Sequence, residues 1–386
     1  VTRSWSTVSD EITAIADDWR GNRAERQARR SLDQADFDRL GKAGFLVAPV
    51  PEAQGGLWRS VPESTRPIAE LLRTLARADS SVALVSSMHP AVLGFWLASL
   101  DPADAAWNKQ RDAVMTSAAE GMQWGTITSE PGSGGDIWKT KSQATLSDDT
   151  LALPGEGYRV SGDKHFGSGS GIASFMITTA VPEGEDVPTV FVLDMRDRAW
   201  DGSAGVKLIA EWDGVGMAAT QSHAMRLDGC PAVRMAWGNP IEQITMAAAP
   251  LVSCLFTAVI LGILDEAIAT ARQQLEPKSS SMRPYEQVEW SRAELDHWLA
   301  VQAYEGALRT VEEGDPMRSV HASLRAKESV AELAESALSR LARVIGGGTF
   351  SRRSPFASWF EDVRALGFLR PPWGLAYDSL FGTSFL

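Results

Sequence analysis

Two segments rich in glycine and hydroxyl side chains carry most of the chemistry open to this sequence. The first is Thr128-Ser129-Glu130-Pro131-Gly132-Ser133-Gly134-Gly135-Asp136, directly after a predicted strand. The second runs from Gly157 through Gly162-Asp163-Lys164-His165-Phe166-Gly167-Ser168-Gly169-Ser170 to Gly171. Glycines let backbone N–H groups come close to an anion, and a turn of such groups makes an anion-binding nest. Small hydroxyl side chains can hydrogen-bond the heteroatoms of a planar ring, and Phe166 could lie against its face. The competing reading is that both segments are hairpin loops whose glycines serve turn geometry alone.

The elements around these segments change character twice along the chain. Apolar positions at Ile12, Ile15 and Trp19 predict a helix over Val8–Arg29, and Ser31 is a plausible cap for another over Ser31–Ala43. Pro49–Gly56 reads as a loop, and Thr65–Ala78 and Ser80–Leu97 carry helical periodicity. From Gly121 to about Arg234, turn signals separate short β-type runs: Trp124–Thr128, Gln143–Leu146, Tyr158–Ser161, Phe175–Ala180, Thr189–Leu193 and His223–Leu227. Long helical patterns return over Ile241–Leu275, Tyr285–Glu313 and Ser319–Ile345, with Pro250 expected to kink the first. The expected architecture is α+β. An N-terminal helical domain (1–118) leads to a middle antiparallel β-barrel or sandwich domain (119–236), and a C-terminal four-helix bundle (237–386) follows.

Bulk properties narrow the function. The chain has 386 residues and a formal net charge of -12, which argues against nucleic acid as a partner, because phosphate neutralisation needs clustered Lys and Arg. Ile244–Leu264 is the longest apolar stretch, but Thr245, Pro250, Ser253 and Thr257 break it, so a buried helix is expected and no membrane span. Val1–Asp10 lacks a basic region followed by an apolar core, the pattern of a secretory leader. Cys230 and Cys254 have no metal or CxxC spacing, and no two of the five histidines have zinc-ligand spacing. A reduced, cytoplasmic, metal-free protein is the expectation.

The order of motifs adds to this. A helical third, Ser-Glu-Pro-Gly-x-Gly-x-Asp, Gly-Tyr-x-Val-x-Gly-x-Lys and a helical bundle together resemble the acyl-CoA dehydrogenase superfamily over nearly the whole chain. The resemblance continues in Trp212-Asp213-Gly214-Val215-Gly216-Met217, then in Gly346-Gly347-Gly348 and Glu361-Asp362-Val363-Arg364. It implies FAD or FMN. By match to the motifs, Ser129 takes the pyrimidine edge of the flavin, Gly134 and Gly135 the pyrophosphate, Phe166 the ring and Ser168 the N5 side. Gly346 and Gly347 would approach the adenine half of a flavin held by a neighbouring subunit, which implies a homotetramer built through the bundles.

Departures from the family pattern bear on the reaction. A dehydrogenase needs a carboxylate base, which the family often places after the Arg-Asp-Ala-Arg segment. Arg370 stands there instead, and a guanidinium cannot act as a base at neutral pH. Glu242 falls near the alternative base position at the start of the first bundle helix; the other reading is an acidic residue favoured by the helix macrodipole. One branch of the superfamily also lacks the C-terminal Glu: two-component monooxygenases, supplied with reduced flavin by a separate reductase. That chemistry needs a dry pocket, a hydrogen bond at N5 (Ser168) and often a histidine, for which His89 is the candidate, the alternative being a core histidine. Arg370 could hold a substrate carboxylate or phosphate. The sequence therefore points narrowly to a flavin monooxygenase acting on a small molecule, ahead of a dehydrogenase using Glu242. A flavin-free binding or assembly protein on the same fold is the third reading.

Overall fold

The computed structural model of the chain describes residues 3–101, 103–149, 151–369 and 371–385. Its N-terminal part is helical: α1 (Trp5–Gly21), α2 (Arg23–Ala28), α3 (Gln34–Lys42), α4 (Val61–Ala76), α5 (Ser80–Ala98) and α6 (Ala105–Ala119). Strands follow: β1 (Trp124–Thr126), β2 (Gln143–Leu146), β3 (Gly157–Gly167), β4 (Phe175–Pro182), β5 (Thr189–Asp194), β6 (Val206–Ala210) and β7 (His223–Arg234). The chain closes with α7 (Ile241–Leu275), α8 (Pro284–Glu312), α9 (Pro316–Ile345), α10 (Phe356–Leu366) and α11 (Trp373–Gly382). The α+β order of helices, barrel and bundle is therefore the observed one.

Some local expectations change. The cap of α3 is Asp33, whose carboxylate accepts the Ala35 N–H, and not Ser31. Pro250 lies inside an uninterrupted α7. The middle region is a closed barrel of mixed direction. β4 pairs with β2, β2 with β3, β3 with β7, β7 with β5, and β5 with β4 again. Most of these pairs are antiparallel, but β1 and β2 run parallel to β4, β1 on residues 175–177 and β2 on 181–182.

Two helices frame the site. Asp79 caps α5 through the Val82 N–H, and nearly every residue of α5 is buried, so it is apolar on all sides as a core helix must be. α7 is buried over most of its length in the same way. These two helices are long and apolar enough to cross a membrane, yet 89% and 83% of their most apolar windows are buried inside the protein. Gly262 of α7 meets α4 so closely that a Cβ there would lie 2.3 Å from the Arg73 carbonyl oxygen. Arg73 also pairs with Asp265, which His297 of α8 contacts at 2.7 Å. The N-terminal helices and the bundle thus share one continuous apolar core, while a smaller one fills the barrel.

Candidate active site

The two glycine-rich segments are joined by a buried ion pair. The Lys164 side chain is fully buried; its ammonium group donates to Glu130 and, at 2.6 Å, to the Thr179 carbonyl. Glu130 also accepts the Lys141 N–H and the Ser142 and Thr140 hydroxyls. Burial alone would raise the Glu130 pKa, but the Lys141 N–H, the Lys164 ammonium and the two hydroxyls bring it down to about 2. The backbone is pinned as well, with His165 N–H donating to the Ser129 carbonyl at 2.8 Å. The shared Ser-Glu-Pro and Gly-x-Lys motifs therefore fix one loop against the other.

Beside this junction lies a cavity of about 340 Å³, within the usual range for small-molecule sites of roughly 300–1,000 Å³. Ser129, Phe166 and Ser168 line it, so three of the residues singled out from the sequence come together. Its apolar walls come from Leu84 and Met88 of α5, Phe256 of α7 and Leu369 after α10, with Trp212 closing one side. Among the described residues that line it, none is charged. Phe166 and Met217 hold φ of 57° and 52°, a region costly for side chains of this size. Such strain gathers at functional sites because the surrounding packing must enforce it.

The hydroxyls at the cavity edge form a directed chain. Thr220 Oγ1 donates to the Met217 carbonyl at 2.9 Å, spending its only proton. The Ser222–Thr220 contact of 2.7 Å must then use the Ser222 proton. By the same count, the 2.9 Å Ser168–Ser222 contact must use the proton of Ser168. Ser168 Oγ therefore faces the cavity as an acceptor. The Met217 carbonyl also accepts Trp212 Nε1–H at 2.9 Å, which fixes the indole ring. Behind this turn, Asp362 of α10 accepts the Met217 N–H at 2.6 Å and the Ser80 hydroxyl at 2.5 Å. Burial raises the Asp362 pKa to about 6 against the lowering effect of those two bonds.

The other sequence candidates lie elsewhere. His89 is fully buried in α5, with Nε2 2.8 Å from the Leu46 carbonyl and Nδ1 accepting the Trp124 N–H at 3.2 Å. Burial lowers its pKa to about 4, and with both nitrogens engaged it joins α5 to β1 as a neutral core histidine. Glu242 is exposed in the first turn of α7 and lines a separate surface hollow beside Trp237 and Arg234. The structure does not bring it to Ser168. Arg370 lies outside the described residues. Gly134 has open space where a Cβ would stand, but Pro372 occupies the approach to Gly135, where a Cβ would be 2.4 Å from Pro372 Cγ. Gly346 and Gly347, after α9, face open space.

These residues fit a flavin. Apolar walls suit a flat ring, hydroxyls stand at its edge, and Gly132, Gly134 and Gly135 in the adjoining loop all have positive φ, the backbone of an anion nest. Sequence reading missed Ser222, Thr220 and the role of Trp212. Trp212 opens the Trp212–Met217 motif, but nothing in a sequence shows which hydroxyl has a proton left to give.

No family model matches the chain. It is 26% identical over 357 residues to the amino sugar nitrososynthase DnmZ of Streptomyces peucetius, covering 87% of this chain and 82% of that one. It superposes on FMN-bound TdsC of Paenibacillus sp. A11-2, a dibenzothiophene monooxygenase, with a TM-score of 0.80 at 21% identity, over 98% and 97% of the two chains. Butyryl-CoA dehydrogenase of Megasphaera elsdenii gives a TM-score of 0.78 at 18% identity, over 98% of each chain. The chain thus has the acyl-CoA dehydrogenase fold from end to end, and the relatives it resembles in sequence and structure are flavin-dependent oxidoreductases of that fold.

Proposed function

We propose that this chain is the oxygenase component of a two-component flavin monooxygenase, receiving reduced FMN or FAD from a separate reductase and oxygenating an uncharged, apolar small molecule. Bound reduced flavin supplies the two electrons with which one atom of molecular oxygen enters the substrate and the other leaves as water. The observation that carries this reading is the proton count at the cavity edge. Ser168 Oγ can only accept there, and the reduced ring carries a hydrogen at N5 where the oxidised ring carries a lone pair. Ser168 thus favours the reduced cofactor, while Trp212, Phe256, Met88 and Leu84 keep water from the reacting face. Ser129 would hold the pyrimidine edge, Phe166 the ring and Gly134 with Gly135 the phosphate. Pro372 packs over Gly135, so Gly134 is the glycine of this pair with open space toward a phosphate.

The dehydrogenase alternative lacks support at the site: no described residue lining the flavin cavity carries a carboxylate, Glu242 lies on another surface, and Asp136 at the neighbouring cavity is engaged by the Trp138 N–H and Lys139. A second cavity of about 320 Å³ runs along the same α5–α7 groove, walled by Phe95, Ile137, Trp138, Val252 and Leu375. Its almost wholly apolar walls suit an aromatic or aliphatic substrate better than an anionic thioester. Anaerobic titration should show reduced FMN binding at least about tenfold more tightly than oxidised FMN, and Ser168→Ala should erase most of that preference, about 1 kcal/mol. With a flavin reductase, NADH and ¹⁸O₂, labelled oxygen should enter indole or dibenzothiophene used as probes. Flavin bleaching by an acyl-CoA without oxygen, abolished in Glu242→Gln, would overturn the reading in favour of the dehydrogenase.

The reading includes a homotetramer in the cytoplasm. On α8, Tyr285, Val288, Leu295, Trp298 and Leu299 are large apolar side chains left exposed, a face suited to a second copy of the bundle. Both cysteines are buried free thiols, as suits a reducing compartment.

A further inference from the structure

The two cavities share a wall, and one buried lysine holds it. After α10 the described residues 367–369 and 371–372 lie along the α5–α7 groove as a strap, with Phe368 and Leu369 lining the flavin cavity and Pro371 and Pro372 lining the apolar one. Lys327 of α9 is fully buried, and its ammonium group donates to the Gly367 carbonyl at 3.2 Å and the Pro371 carbonyl at 2.9 Å. Its third proton goes to Glu328 at 2.7 Å. All three donors are thus spent, two of them on the two ends of the strap. Glu332, one helical turn beyond Glu328, accepts the Tyr377 hydroxyl, so the same side of α9 also holds α11.

An ammonium ion is costly to bury, and an apolar residue would pack against a helix end more cheaply. Its placement has a local logic: the Gly367 carbonyl is one of the orphan acceptors at the end of α10, and a cation there also meets the negative end of the helix dipole. Its second bond reaches past that helix end to Pro371, next to the residue packed on Gly135 of the phosphate-binding loop. We propose that Lys327 is a positioning residue: by holding the Gly367 and Pro371 carbonyls it latches a strap, formed by residues 367–369 and 371–372, that closes the flavin and substrate cavities together. Release of this single side chain opens both cavities to solvent. The link to flavin rests on the function proposed above, whereas the latch itself does not.

The test uses the full chain and the double variant Lys327→Met, Glu328→Gln, which leaves no unpaired buried charge that could unfold the protein. Hydrogen exchange is measured first without added flavin. The amides of Gly367, Phe368 and Leu369, bonded to the carbonyls of Val363, Ala365 and Leu366, should exchange roughly tenfold faster or more in the variant, with α7 and the middle of α9 unchanged. Iodide quenching of bound FMN fluorescence is measured second and should increase severalfold. Unchanged exchange at 367–369, or a rise spread evenly through α9 and α10, would overturn the latch, the second because it marks a merely structural pair. Faster exchange in the strap from a protein that binds no FMN in either redox state would support the latch and reject the flavin reading. Unchanged exchange beside tight FMN binding would do the reverse.

Discussion

Asp362 shows how a single carboxyl can be read in two ways. In the sequence it stands in Glu361-Asp362-Val363-Arg364 and marks a family ending; in the structure it is a buried acceptor that holds the cavity turn through the Met217 N–H. Burial raises its pKa to about 6 from the ordinary aspartate value of 3.8. Between those pH values the folded state binds a proton that the unfolded state does not, so this group's contribution to stability increases as pH falls through 6 and is lost as pH rises above it. Asp362→Asn should therefore flatten the pH dependence of the melting temperature between pH 5 and 7 relative to wild type, as differential scanning calorimetry can show. An unchanged slope would mean that the carboxyl titrates in its ordinary range. The sequence pointed to Ser129, Phe166 and Ser168 because small hydroxyls and glycines beside an aromatic are a local pattern. It left His89 open between a catalytic and a core role, because burial on all sides of α5 is a property of the packed helices and not of the residue's neighbours in sequence.

At the scale of elements, long periodic helices and β-branched runs were legible, and short or edge segments were not. α7, α8 and α9 were all anticipated because apolar periodicity repeats over many turns. β6 (Val206–Ala210) was missed: four of its five residues are at least partly exposed, and among the named strands of the described residues it pairs with β7 alone. β3 and β7 are longer than their apolar runs because their ladder continues across bulges near Gly162 and Gly167. The contact between α4 and α7 depends on Gly262, which no periodicity reveals. Gly262→Ala would force a Cβ toward the Arg73 carbonyl and separate the helices, at a cost of about 1–3 kcal/mol. Urea denaturation should show that loss as a lower midpoint with an unchanged slope.

At the scale of the molecule, helix–barrel–helix order was readable, but the sharing of one core between the first and last parts was not. α4 and α5 pack on α7, so the N-terminal helices and the bundle bury a common surface. The exposed face of α8 is one large apolar surface left among the described residues. Replacing Leu295 and Trp298 together by Asp should shift the protein from tetramer to smaller species in light scattering, with the far-ultraviolet circular dichroism unchanged. A monomeric wild type under the same conditions would sink the assembly reading.

The pairing of Glu130 with Lys164 also bears on how such sequences are recognised. The most visible letters of the acyl-CoA dehydrogenase-like motifs, the acid of one loop and the base of the next, form an internal weld between the two loops. Natural selection for a sound barrel would preserve them in a descendant that had abandoned redox chemistry altogether. Homology searches keyed to those letters therefore collect intact scaffolds, and the residues that report on catalysis are the quieter hydroxyls beside them.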